Sequence, residues 1–317
     1  MERAENVAPI ADVNNQLLLD FRSLDATRIA GHWLPIVQST GDEEAFFKLY
    51  DHANGHTVTE FLVFRTENPN SIISSVALAR ENARMVRDQI TQEMWEEINR
   101  LHLFLRSARA REVWNASQSD FFQEIKTSSL VMQGLTNATV AHNENWYFMQ
   151  VGKYLERADK TTRILDVRYE SLPARGVPAP ASQFEALEWA AVLRSCSAWD
   201  AYRQVYGVDV GPRRVTELLL LSADFPRSVR FCLTHLDMAL RAISGVPAGR
   251  FSNDAEKLSG RVLADLLFSS VEDLFDRGLH DYLDELQARF NKIGQALFAT
   301  YIFPPFQDAE FQQQPQQ

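Results

Sequence analysis

The sequence predicts an all-α protein: a helical bundle built from two diverged tandem copies of a multi-helix unit of roughly 155 residues. Three observations predict it. Gly and Pro are scarce, 13 and 12 in 317 residues, and sit mainly between apolar-periodic segments. The apolar residues recur at helical spacing, with no convincing run of strand-like alternation. The opening Met1-Glu2-Arg3-Ala4-Glu5 also returns as Leu155-Glu156-Arg157-Ala158-Asp159.

The repeat extends beyond that motif. Asp12-Val13 matches Asp166-Val167, Trp33 matches Trp189, Tyr50 matches Tyr206, Val58-Thr59-Glu60 matches Val215-Thr216-Glu217, and Pro69 matches Pro226. The order of landmarks is kept while the interval grows slowly, as small loop insertions in a duplicated unit would produce. The expected organisation is a first repeat over 1–141, a second over 142–306 and a disordered Gln-rich tail over 307–317. Pro69 and Pro226 read as first-turn prolines opening long helices. The stretch from Ser171 to Ser182, with Pro173, Gly176, Pro178 and Pro180, reads as a loop.

In the second copy, Val151, Leu155, Ala158, Thr162, Leu165 and Tyr169 follow alternating spacings of four and three and form one core-facing stripe. Asp159 and Asp166 fall beside it, with Glu156 and Arg163 further round the same flank and Arg157 on the other. Glu5 and Asp12 take the places of Asp159 and Asp166 in the first copy, and Glu2 and Arg3 those of Glu156 and Arg157. Two readings stay open. Boundary acids and arginines between packed helices form register-setting ion pairs, or the two copies face each other and build a polar pocket.

A second polar helix runs through Glu81, Asn82, Arg84 and Arg87. Glu81 and Arg84 are spaced to pair on one exposed face, and Asn82 lies outside the apolar stripe. Its counterpart follows Phe225-Pro226-Arg227-Ser228. Arg227 and Arg230 are expected in the first turn of that helix, where the dipole disfavours cations and an anionic partner would suit them. Glu81, Asn82, Arg84, Arg87, Arg227 and Arg230 therefore join the candidate pocket.

The bulk properties exclude more than they assign. The net charge is −10, against a nucleic-acid backbone as the main partner. No apolar run reaches the length of a membrane span, and the charged N-terminus carries no signal peptide, so the cytoplasm is expected. Cys196 and Cys232 lie in apolar helical pattern and read as buried free thiols. A carboxylate-bridged di-metal site wants Glu-x-x-His pairs; there are none, and the histidines show no convincing metal-ligand spacing, so neither metal nor cofactor is expected. No phosphate loop, dinucleotide fingerprint or nucleophile elbow appears.

With Glu2-Arg3-Ala4-Glu5-Asn6, Glu81-Asn82-Ala83-Arg84-Met85-Val86-Arg87, Glu93-Met94-Trp95-Glu96, Tyr154-Leu155-Glu156-Arg157-Ala158, Phe225-Pro226-Arg227-Ser228 and Gly278-Leu279-His280 in place, the chain resembles the bacterial alpha-E family, an all-helical domain of unknown function named for its Glu-Arg motif. The resemblance implies a genomic neighbourhood, beside or fused to an ATP-grasp-type ligase and a transglutaminase-like cysteine peptidase, in a pathway acting on amide bonds of small peptides. The expected function is a non-catalytic accessory or binding partner of that system. The alternative is an enzyme or small-ligand receptor with a Glu/Arg-lined interhelix pocket. The chain departs from the family at its start: Met1 falls inside the motif, where the second copy has half a helix from Asn145 to Tyr154. Pro9, aligned with Arg163, removes a helical hydrogen bond. The first Glu-Arg helix is therefore expected to fray or kink, so that any shared site rests mainly on the second copy, with Glu2, Arg3, Glu5 and Asp12 as weaker equivalents.

Overall fold

The computed structural model describes residues 1–21, 33–171 and 183–302, and among them every regular element is a helix. The first half holds α1 (Glu2–Phe21), α2 (Leu34–Thr40), α3 (Glu43–Phe47), α4 (Gly55–Val63), α5 (Ile72–Met85), α6 (Gln92–Arg106), α7 (Ala108–Ala116) and α8 (Gln118–Thr139). The second holds α9 (Glu144–Ser171), α10 (Gln183–Ser195), α11 (Trp199–Tyr206), α12 (Pro212–Thr216), α13 (Val229–Ser244), α14 (Asp254–Phe268), α15 (Val271–Asp276) and α16 (Leu279–Tyr301). A π-helical turn, Glu217–Leu221, continues α12. Ser171 closes α9; the rest of the expected loop, and the expected 307–317 tail, lie outside the described residues.

Caps set the helix starts. Asn54 opens α4 with a reciprocal capping box to Thr57, which satisfies two amide groups the helix leaves orphaned. The Ser71 hydroxyl accepts from the Ser74 amide at the head of α5, and Ser228 accepts from Phe231 at the head of α13. This corrects the reading of Pro69 and Pro226. Each stands two residues before a serine cap, where it stiffens the entry turn, and neither is in a first helical turn. Arg227 likewise precedes its cap, while Arg230 is in the first turn.

Two helices form the centre. α1 packs on α5, α8 and α10; α9 packs on α13, α16 and α2; and α1 and α9 contact each other. Around them α6 bridges α5 and α8, and α14 bridges α13 and α16. Each central helix thus recruits one helix, α10 or α2, from the opposite half. Six of the landmark residues are packing residues: Trp33, Trp189, Val58, Val215, Thr59 and Thr216 are all buried, while Pro69 and Pro226 are exposed. Gly55 is fixed by this packing, since a Cβ there would stand 2.9 Å from the Trp33 ring.

One buried apolar cluster runs through both halves, from Ala4 to Ile293. A small satellite cluster, Ala83, Met94, Ile98 and Met132, stands apart from it.

α1 does not break at Pro9, and the helix is continuous from Glu2 to Phe21. The proline forfeits one bond to the Glu5 carbonyl, but Ala4, Val7, Ala8, Ile10 and Ala11 around it are all buried. Tertiary burial of a helix outweighs the local cost of one residue. α9 is also more enclosed than one apolar stripe suggests. Arg157, Lys160, Thr161 and Asp166, off the stripe, are buried as well, because helices pack around it on several sides.

Candidate functional site

α1 and α9 meet at their Glu-Arg motifs, and the motifs bind each other. Arg3 donates from Nε and Nη2 to the two carboxylate oxygens of Glu156, both at 2.8 Å. Arg157 donates from Nε and Nη2 to the two oxygens of Glu2, at 2.8 and 2.9 Å. Both pairs are bidentate, the geometry in which the guanidinium fork matches a carboxylate. They differ in burial: Arg157 and Glu2 are 6% and 10% exposed, Arg3 and Glu156 are 39% and 21%. The motif of each half is thus completed by the other, and the Glu-Arg pair of α1 takes full part, contrary to the expectation drawn from Pro9.

Each arginine also ties down the turn that leads into a flanking helix. Arg3 Nη1 donates to Asn70 Oδ1 at 2.8 Å, and Asn70 in turn donates to Asp42 at 2.6 Å. Arg157 Nη1 donates to the Pro226 carbonyl at 3.3 Å, and Thr161 Oγ1 to the Arg227 carbonyl at 3.0 Å. Arg227 reaches back to α1, pairing with Glu5 and donating to Asn6 Oδ1 at 2.8 Å. Its Nη1 lies 3.6 Å from Glu2. Glu2, Glu5, Arg157 and Arg227 thus form a buried cluster of two acids and two arginines.

The electrostatics follow from burial and pairing. Burial works against the Arg157 cation, but the hydrogen bonds and charge of Glu2 overcome it and hold the guanidinium protonated. Burial raises Glu156, yet the Arg3 hydrogen bonds and the charges of Arg3 and Lys160 bring it below the ordinary carboxylate range. Burial, with Glu2 alongside, raises Glu5 in spite of Arg227 and Arg157. Lys160 is buried with Asp159 Oδ2 at 3.9 Å, and burial lowers its pKa.

Beside the clasp lies a groove of about 470 Å³. α5 starts near Arg3, at the Asn70 turn, and runs past Met1, so that Leu78, Ala79 and Asn82 face the space beyond. Met94 and Ile98 of α6, Met132 of α8 and Met149 of α9 complete the apolar wall. Ser129, Gln133, Asn137, Gln150 and Lys153 supply polar groups. Two are buried without a partner: Gln150 Nε2, on a side chain 2% exposed, and Ser129 Oγ, on one 1% exposed. Burial beside Arg157 pulls the Lys153 ammonium down to about 8.

The other sequence-predicted residues do not converge here, except Asn82. Glu81 and Arg84 pair with each other on the exposed face of α5. Arg87 binds Gln92 and lies over the Trp95 ring. Arg230 reaches the Leu221 carbonyl at 3.4 Å. Arg163 pairs with Asp159 at 2.8 Å on α9. Asp12 accepts from Lys126 of α8 at 2.9 Å, and Asp166 from His280 of α16 at 2.7 Å. Asp166, His280 and Asp284 bring three atoms of the kind that could ligate a metal within 4.8 Å of one another, with Asp166 and His280 hydrogen-bonded to each other. The spacing of His280 and Asp284, one helical turn apart, was their sequence signal. Gln133, Gln150, Ser129 and Lys153 were missed. Gln133 meets Glu5 across 128 residues of chain, and only the packing of α8 on α1 reveals it.

Residues 1–302 match the model of the Alpha-E family, described as a predicted alpha-helical domain with a conserved ER motif. Uncharacterized proteins of Mycobacterium bovis and Mycobacterium tuberculosis are similar, each 26% identical over 96% of this chain and 36% of its own length. The chain therefore spans little more than a third of the curated relatives it matches. No solved structure matches it.

Proposed function

The chain belongs to the Alpha-E family, and we propose that it is a non-catalytic helical partner module, built from a duplicated unit, for an ATP-grasp-type ligase and transglutaminase-like peptidase system acting on small peptides. The reciprocal clasp carries this reading. Glu2, Arg3, Glu156 and Arg157 spend their charges on one another, so the motif acts as a structural lock between the halves. The match to much longer relatives suits a module working within a larger assembly. On this reading the module acts in the cytoplasm without a cofactor of its own. No described helix is long and apolar enough to cross a membrane.

Affinity purification of the tagged chain from its own cells tests the reading. The ligase should co-purify, and its turnover should drop when the gene for this chain is deleted. A chain that purifies alone and leaves ligase turnover unchanged would defeat the proposal. A second reading, a small-ligand receptor or enzyme, rests on the unpartnered Gln150 and Ser129 in the groove. Gln150→Ala and Lys153→Met variants that fold but fail to complement a deletion would favour it.

A further inference from the structure

The seam between α9 and α16 differs at one point from the seam between α1 and α8. In the first half, Lys126 of α8 donates to Asp12 of α1 at 2.9 Å. In the second, His280 Nδ1 of α16 meets Asp166 Oδ1 of α9 at 2.7 Å. Both pairs join residues 114 apart in the chain, and both acids are buried. One turn beyond Lys126 stands Leu130; one turn beyond His280 stands Asp284. The first seam therefore sets one acid against a permanent cation. The second sets two acids against an imidazole. Among the described residues, no lysine or arginine comes within salt-bridge reach of Asp166 or Asp284, and His280 is the basic group near both.

The imidazole is held in a defined orientation. An ionised carboxylate can only accept, so Nδ1 carries the proton toward Asp166. The second Asp166 oxygen accepts from Gln287 Nε2 at 3.3 Å, which fixes the carboxylate in turn. In a neutral ring this places the lone pair on Nε2. Metal-binding histidines are ordinarily oriented in this way, with the other nitrogen donating to a carboxylate. Nε2 stands 3.8 Å from Asp284 Oδ2, too far for a hydrogen bond between them. A tetrahedral ion with nitrogen and oxygen ligands at about 2.1 Å sets the two about 3.4 Å apart. Asp284 is 63% exposed, so a small turn of its side chain closes the difference. A nitrogen ligand beside a carboxylate suits zinc and its transition-metal neighbours, whereas magnesium and calcium take oxygen ligands.

We propose that His280 Nε2 and Asp284 Oδ2 ligate a divalent ion of the zinc class, with Asp166 as the carboxylate that orients the imidazole and water completing the coordination. The ion supplies the positive charge that Lys126 supplies in the first half, and it fastens the opening turns of α16 where they meet α9. It enters no reaction, so the inference goes beyond the partner-module reading and does not depend on it. Histidine spacing along the sequence gave no sign of the site, because the acid that orients His280 lies 114 residues away on another helix.

Zinc chloride titrated calorimetrically into the untagged, chelator-stripped full chain tests the proposal, with thermal melts alongside. At free zinc tenfold above the measured dissociation constant, the melting temperature should rise by about 3 °C. Magnesium at the same concentration should leave it unchanged. Asp284→Asn changes an exposed side chain and should fold as the parent does, yet lose the zinc-induced rise. His280→Lys copies the Lys126–Asp12 pair of the first half; it should keep the seam closed, melt no lower than the zinc-free parent and lose the rise as well. No rise with zinc in the parent, or an equal rise with magnesium, would overturn the site. A rise kept by either variant would overturn it too, since the ion would then sit elsewhere on the chain.

Discussion

Replacing Arg157 with methionine removes the clasp's buried charge while keeping most of the side-chain stem. The change strands Glu2, which is 10% exposed, and releases the Pro226 carbonyl and Gln133 Oε1, both 3.3 Å from the guanidinium. Breaking a buried pair by deleting one partner costs about 3–5 kcal/mol, because an uncompensated charge stays behind. Arg227, 3.6 Å from Glu2, recovers part of that, so the expected loss is about 3 kcal/mol. The matched change at Arg3, which is 39% exposed over a Glu156 that is 21% exposed, should cost about 1 kcal/mol. At about 2 °C per kcal/mol for a chain of this size, the two variants should melt roughly 6 °C and 2 °C below the parent.

Calorimetric or circular-dichroism melts of both variants, with urea titrations to fix the free energies, would measure the contrast. Glu2→Gln in the Arg157→Met background should recover part of the loss, since the stranded charge is then gone, giving strong non-additivity in the double-mutant cycle. Equal costs at Arg157 and Arg3, or an additive double variant, would refute the claim that the Arg157–Glu2 arm carries the lock.

Three further outcomes are expected. Glu156, held below the ordinary carboxylate range, contributes stability that is full above its unfolded pKa and lost as pH falls through its folded one. Glu156→Gln should therefore flatten the acid limb of a stability–pH curve below about pH 4.5 and leave its neutral limb parallel to the parent's. Lys153, pulled down to about 8, should acetylate with a pH midpoint near that value, read by mass spectrometry of the labelled peptide; a midpoint near that of exposed lysines would contradict the burial assigned to it. Gly55→Ala should destabilise by about 1–3 kcal/mol, because its Cβ would press on the rigid Trp33 ring at 2.9 Å, and an unchanged melting temperature would show that ring able to move.

The helical class was legible because it depends on residue spacing, which is local information. The weights of local signals were less so. Pro9 was given the cost of a helix breaker, but burial of Ala4, Val7, Ala8 and Ile10 around it prevails. Pro69 and Pro226 were placed in first turns, while the capping role belongs to Ser71 and Ser228 two residues on. The Glu-Arg motif was visible as a motif, but its partner was not. Arg157 was assigned to the flank of α9 away from Asp159, which is correct for one helix and silent about the second. Gln150 and Lys153 carried no signal at all, since their place beside the groove depends on how helices distant in sequence pack.

The pairing also explains why the motif is a dipeptide. Adjacent helical residues point about 100° apart, so Glu2 and Arg3 leave α1 on different sides, as Glu156 and Arg157 leave α9. Where two such helices cross in matching environments, the glutamate of each faces the arginine of the other, and one short sequence supplies both halves of two ion pairs. This is the self-complementarity of a twofold interface, written here within a single chain. A lone Glu-Arg in one half would leave a charge buried at the crossing, so each copy of the motif is stable only in the presence of the other. The lock therefore constrains the crossing of α1 and α9 directly, and through Asn70, Pro226 and Arg227 it fixes the entry turns of α5 and α13. Those turns aim α5, which walls the groove, and α13, which packs on α9.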